Sequence, residues 1–143
     1  MITIKLAPRK DIKAVIFDDE IYDRITDDNC PPKELFELPQ DGYVAIGGYI
    51  HGKVASMFIV HDDKLHFMVL KPYRLYAWEL LRDSFKFYPH NVYVQIPSLY
   101  MPVINFAKNF GFKEILVSEK THKKNNCWYG IHTLTYEVKD GLY

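Results

Sequence analysis

Residues 64–85, KLHFMVLKPYRLYAWELLRDSF, constrain what this chain can fold into more than any other stretch. The segment begins as an apolar run with β-branched and aromatic content and breaks at Lys71-Pro72. It resumes with Leu75, Trp78, Leu80 or Leu81, and Phe85 at spacings of three and four. That pattern predicts a strand running straight into a helix. The first turn of such a helix offers backbone N–H groups without internal partners, together with the positive end of the macrodipole, and so suits a phosphate. Arg74 stands beside it. Any α/β domain has junctions of this kind, so on this stretch alone a merely solvated arginine is an equal reading.

The preceding text supplies partners for that strand. Residues 43–50 and 53–60 are β-rich and separated by His51-Gly52, a two-residue spacer suited to a tight hairpin in which glycine supplies a positive φ. Asp62-Asp63 turns the chain again, which predicts a three-stranded antiparallel meander. Gly47-Gly48 implies a bulge or a close backbone neighbour, since no helix follows to complete a phosphate loop. His61, Asp62 and Asp63 read as a polar turn before they read as metal ligands. Earlier still, residues 2–6 alternate as a short strand, and Ile12, Val15 and Ile16 mark a helix. Residues 18–28 are acidic, interrupted by Ile21, Tyr22 and Ile25, and predict a second short helix whose carboxylates face water or line a site for a cation. Cys30-Pro31-Pro32 stops that helix and opens a loop reaching about Asp41-Gly42.

Beyond the central helix, residues 91–97 predict a strand. Residues 101–110 predict a helix with Val103, Ile104, Ala107 and Phe110 on one face, ended by Gly111. A helical connection between two strands of one sheet implies a right-handed crossover, with the strand at 91 parallel to that at 64. Residues 112–117 read as a strand, residues 120–126 as a polar, basic loop, and residues 128–138 as the strand that closes a final hairpin.

Composition narrows the function classes. Lys plus Arg and Asp plus Glu each number 18, so the formal net charge is zero and no general pull toward nucleic acid or membrane is expected. No apolar run approaches the roughly 20 residues of a membrane span. The N-terminus lacks the layout of a signal peptide, which predicts a cytoplasmic chain. Cys30 and Cys127 form neither a CxxC nor a His/Cys cluster, so both are expected as free thiols, with no metal.

The order strand, helix, helix, meander, helix, strand, helix, closing hairpin resembles the GNAT acyltransferase superfamily, and the residues agree at two places. VLKPYRLYAWELL, residues 69–81, is similar to that superfamily's coenzyme A signature, in which an arginine followed by glycine-rich spacing receives the pyrophosphate. QIPSLYMPVINFAKNFGFKE, residues 95–114, is similar to its strand–helix–Gly-Phe ending. The IP start and FAKNFGF end resemble the small GNAT-like proteins of tailed bacteriophages and prophages.

The resemblance implies an α+β (mixed α/β) fold in one domain over residues 1–143, with a central mixed sheet of about seven strands and about four helices. It implies an acyl-CoA-dependent N-acyltransferase in which an amine attacks the thioester of acetyl-CoA directly. Met68, Val69 and Leu70 would lie along the thioester and pantetheine arm, with an N–H near Val69 facing the oxyanion, and Arg74, Leu75, Tyr76 and Ala77 would meet the pyrophosphate. His66 is the candidate base, and Tyr100 and Tyr76 are candidate acids for the departing thiolate. Asp23, Asp27 and Asp28 would meet the acceptor, a small amine or a protein amino group. Neither nucleic acid nor membrane is an expected partner, and a homodimer is compatible. If the chain is phage-encoded, it would act in the host cytoplasm.

Three departures define a second reading. Ala77 and Glu79 stand where the family has glycines, and the Leu80-Leu81 pair arrives about two residues early. Ala107 stands where a helix tyrosine commonly protonates the thiolate. These favour a GNAT-fold phage protein without catalysis, serving as a virion or host-interaction module.

Overall fold

The computed structural model describes residues 1–138, in two compact units, one from Met1 to Tyr88 and one beginning at Pro89. The first unit runs β1 (Ile2–Leu6), α1 (Arg9–Ile16), α2 (Asp19–Ile25), β2 (Val44–Ile50), β3 (Lys53–His61), β4 (Lys64–Val69), a 3₁₀ segment (Lys71–Tyr76) and α3 (Ala77–Phe87). Its four strands lie in the order β1-β2-β3-β4, each antiparallel to its neighbour. The predicted meander is therefore present. Its two turns place His51 and Gly52 at φ 52° and 78°, and Asp62 and Asp63 at φ 48° and 64°. Positive φ at both central residues is the type I′ geometry, whose twist matches the flanking strands.

Helices cover both faces of these strands. Ile12, Val15 and Ile16 of α1, with Ile21 and Tyr22 of α2, pack on Ala45, Met57, Ile59 and Met68. Against the other face, Leu80 of α3 joins Ile50, Ala55 and Val69, and Phe85 meets Phe58 edge-on at 5.1 Å between ring centroids. With neither face left to water, β2 and β3 read as nearly unbroken apolar runs rather than alternating ones. Arg9 fastens the long loop before β2 by donating to the carbonyls of Leu38, at 2.5 Å, and Pro39, at 2.9 Å.

The Gly47-Gly48 expectation is met in both its forms. The β2–β3 register shifts between Gly48 and Tyr49, and a Cβ on Gly48 would stand 2.3 Å from Ser56 Oγ and 2.7 Å from Leu80 Cδ2. Ser56 and Leu80 are both fully buried, so neither can swing aside cheaply. Gly48→Ala should therefore destabilise the protein by about 1–3 kcal/mol, the usual range for overpacking. The shift in denaturation midpoint at constant slope measures it; a change under about 0.5 kcal/mol contradicts this packing.

The junction after β4 corrects one expectation. The strand does not run straight into a helix, because the 3₁₀ segment intervenes, and the residue phase changes from about 120° to about 100° per residue at Ala77. Leu80, Leu81 and Phe85 are buried as the periodicity predicts, but Leu75 is 92% exposed and Trp78 42% exposed.

The second unit contains β5 (Val92–Pro97), a 3₁₀ turn (Ser98–Tyr100), α4 (Met101–Phe110), β6 (Lys113–Val117), β7 (His122–Lys124), β8 (Cys127–Tyr129) and β9 (Ile131–Tyr136). The strand β9 lies between β5 and β6 and is antiparallel to both. Gly111, at φ 127°, ends α4 and donates its N–H to the Ala107 carbonyl. Ile104 and Ala107 are buried as expected, whereas Val103 is exposed. The stretch expected as a basic loop is instead half strand. His122 to Lys124 pairs with Cys127 to Tyr129 about an Asn125-Asn126 turn with φ 51° and 63°. The strand expected over 128–138 is consequently divided at Gly130, where an added Cβ would stand 2.8 Å from the Ser118 carbonyl oxygen. Among the described residues no helix is long and apolar enough to cross a membrane.

Candidate functional site

The end of β4 is built by its pairing with β3. Leu70 donates its N–H to the Ala55 carbonyl at 2.9 Å. Because successive amides of a strand point to opposite edges, the N–H of Val69 is directed to the edge of β4 that does not face β3. Met68 and Val69 bury their side chains in the two core faces, so what β4 can offer a ligand at these positions is backbone.

The segment that follows uses amides that a phosphate loop would leave open. Tyr73 donates to the Leu70 carbonyl at 2.9 Å, and Ala77 donates to that of Arg74. No side chain caps α3, but Glu79 lies in its first turn, where a carboxylate complements the macrodipole. One Glu79 oxygen is buried without a hydrogen-bond partner. Tyr76, the N-cap, is 47% exposed, and Ala77 packs against the Ile50–Leu80 cluster.

Arg74, in the 3₁₀ segment of this junction, is already engaged. Its two terminal nitrogens face the two carboxylate oxygens of Glu20 in the first turn of α2: Nη2 is paired with Oε1, and Nη1 donates to Oε2 at 3.4 Å. The Arg74 hydrogen bond is the main reason that the Glu20 carboxyl titrates below its usual range. Burial opposes this, and the charges of Arg74, Arg24 and Lys71 add to it. Arg74 is thus the partner in contact with this carboxylate, and Arg24 and Lys71 act on it through their charge. Sequence reasoning named Arg74 but missed Glu20, 54 residues away, as well as Arg24 and Lys71. The only available signal was the acidic first turn of α2, Asp19-Glu20.

The remaining candidates occupy varied places. His66 shares the side of β4 that Met68 turns toward α1; the residue is exposed, and its imidazole is lowered from its ordinary value by partial desolvation first, then by Lys64 and His61. A neutral imidazole at physiological pH is the form a general base requires. Asp27 accepts from the Asn29 N–H at 2.9 Å and so shapes its own turn. Asp23 and Asp28 are exposed. In the second unit, Tyr100 is half-buried at the start of α4, and Ala107 is buried. That unit also holds a pair no sequence signal announced: His132 Nδ1 lies 2.5 Å from Glu114 Oε1, and this bond lowers the Glu114 carboxyl. Among the described residues no group of three or more His, Cys, Asp or Glu is placed to hold a metal ion.

No family model and no curated protein matches the chain. Solved structures do, and the fold they share is that of the GNAT N-acyltransferases, a mixed α+β fold with seven principal strands and four helices. The ribosomal-protein-S18-alanine N-acetyltransferase of Escherichia coli is 15% identical, with a TM-score of 0.69 over 100% of this chain and 99% of that one. An acetyltransferase of the GNAT family from Streptococcus pneumoniae is 12% identical, with a TM-score of 0.68 over 95% and 99%. A Salmonella typhimurium protein described with its cofactor acetyl-CoA is 14% identical, with a TM-score of 0.70 over 99% and 96%. At these identities the likeness is one of fold.

Proposed function

We propose that the protein is an acyl-CoA-dependent N-acyltransferase that carries an acetyl group from acetyl-CoA to a small amine or a protein amino group. The observation that carries this reading is the whole-chain likeness to acetyltransferase structures, joined to a strand-to-helix junction where Arg74 holds a carboxylate, that of Glu20, with both terminal nitrogens. Arg74, with Leu75, Tyr76 and Ala77 beside it, receives the pyrophosphate. The pantetheine arm follows the backbone of Met68, Val69 and Leu70, and the Val69 N–H meets the developing oxyanion. The neutral acceptor amine attacks the thioester carbonyl, its proton passes to a base for which His66 is suited, and a tyrosine hydroxyl protonates the departing thiolate. Asp23, Asp27 and Asp28 favour a cationic acceptor.

Arg74→Ala should weaken acetyl-CoA binding by about 1–3 kcal/mol, the range of a charge-assisted hydrogen bond. Unchanged affinity removes Arg74 from the site. The reaction itself is tested by release of free CoA thiol from acetyl-CoA in the presence of polyamines and lysine-containing peptides. Acceptor-dependent release supports the proposal. Binding to a protein partner with no thiol release under any acceptor supports the second reading, a GNAT-fold module without catalysis, which Ala77, Glu79 and Ala107 favour.

A further inference from the structure

Two positive features of the junction, the Arg74 guanidinium and the first turn of α3, are each met by a carboxylate of the chain itself. Glu20 reaches from α2 to Arg74 with both oxygens, and Glu79 occupies the first turn of α3. Two-oxygen pairing of a guanidinium is also the geometry in which arginine holds a phosphate, so Glu20 stands in for the anion that the junction is built to take. The charges of Arg24 and Lys71 also favour the ionised form of the same carboxylate.

We propose that Glu20 is an internal competitor for the nucleotide pyrophosphate of the acyl donor, a residue that sets which ligands open the site by holding Arg74 until a more highly charged anion displaces it. This rests on the acyl-CoA reading. The physical case turns on how firmly the pair is held. Side-chain exposure is 35% for Arg74 and 37% for Glu20, and ion pairs this open to water contribute little net stability. A pyrophosphate carries at least two charges and more acceptor oxygens than a carboxylate, so it can win the arginine. A singly charged or neutral ligand has no such advantage. Glu20 therefore discriminates by charge, whereas the family's glycine-rich spacing admits phosphate by leaving room for it.

If Glu20 occupies Arg74 in about three molecules of four, it lowers the apparent affinity about fourfold, and removing its charge restores that factor. The test is calorimetric titration of wild type, E20Q and E20A with three probes: acetyl-CoA, ADP and pantetheine. ADP carries the pyrophosphate without the arm, and pantetheine carries the arm without the phosphates. The proposal predicts that both variants bind acetyl-CoA and ADP about fourfold more tightly than wild type while pantetheine affinity is unmoved. Circular dichroism confirms the fold, and E20Q, with the shape of glutamate, covers a failure of E20A to fold. Equal or weaker binding of acetyl-CoA by E20Q overturns the inference and leaves the acyltransferase reading standing. A matching gain for pantetheine also overturns it, since α2 would then act on the fold of the site rather than on the phosphates. Absence of acetyl-CoA binding by wild type and both variants removes the acyltransferase reading and the inference together.

Discussion

Phe58→Ala is expected to lower the unfolding free energy by about 3–5 kcal/mol, a large part of the roughly 5–15 kcal/mol that holds a domain folded. Phe58 is completely buried on β3, between Ile46 of β2 and Phe67 of β4 in the strand register. Its ring makes edge contacts with Phe67 at 6.4 Å, Phe85 at 5.1 Å and Tyr88 at 6.0 Å. Truncation removes the transfer energy of the ring and leaves a cavity whose walls are two strands and a helix, which relax only in part. Leu75→Ala is the control. Leu75 was expected on the buried face of α3 and is instead 92% exposed, so its truncation should change stability by no more than about 0.5 kcal/mol. Urea unfolding of the two variants separates them; a Phe58→Ala effect below about 1 kcal/mol contradicts the packing described.

The second large effect concerns the proton for the leaving thiolate. Ala107 cannot supply it, and Tyr76 and Tyr100 are the hydroxyls proposed in its place. Removing a general acid lowers a rate by about 10²–10⁴, so the tyrosine that serves should lose at least about 10² in kcat as phenylalanine. Its acetyl-CoA affinity should hardly change, because only one oxygen has gone. The two single variants divide the roles: a fall in Tyr76→Phe alone assigns the acid to the 3₁₀ segment beside α3, and a fall in Tyr100→Phe alone assigns it to the start of α4. Full activity in both leaves the thiolate to be protonated by water or by the acceptor.

Elements whose evidence was local were legible in the sequence. The β-rich runs around His51-Gly52 and Asp62-Asp63 yielded the meander, because a two-residue spacer nearly dictates an antiparallel hairpin. Gly48 announced the bulge, and Ile12, Val15 and Ile16 announced the buried face of α1. The β7–β8 hairpin escaped because strands of three residues are too short to show a period. Its Asn125-Asn126 turn was a usable signal that the basic character of the segment obscured. Leu75 was misplaced because a 3₁₀ and an α continuation share the three-residue spacing and part company only beyond it. The candidate site was legible on one side only. Arg74 is marked by its neighbours in sequence, whereas Glu20 reaches it through the packing of α2 on the strands, and no local pattern encodes a partner 54 residues away. The His132–Glu114 pair likewise depends on a β6–β9 register that slips between Glu114 and Leu116.

The central claim, that the junction of β4 and α3 receives an acyl-CoA, is tested most directly by the stability of the wild-type protein against increasing acetyl-CoA, followed by thermal unfolding beside Arg74→Ala. A ligand that binds only the folded state stabilises it by about 2.7 kcal/mol at 100 times its dissociation constant. The account predicts a melting temperature that climbs with acetyl-CoA concentration in the wild type and climbs later, at higher concentration, in Arg74→Ala. A wild-type melting temperature that stays flat into the millimolar range, or one that rises identically in the two proteins, contradicts it.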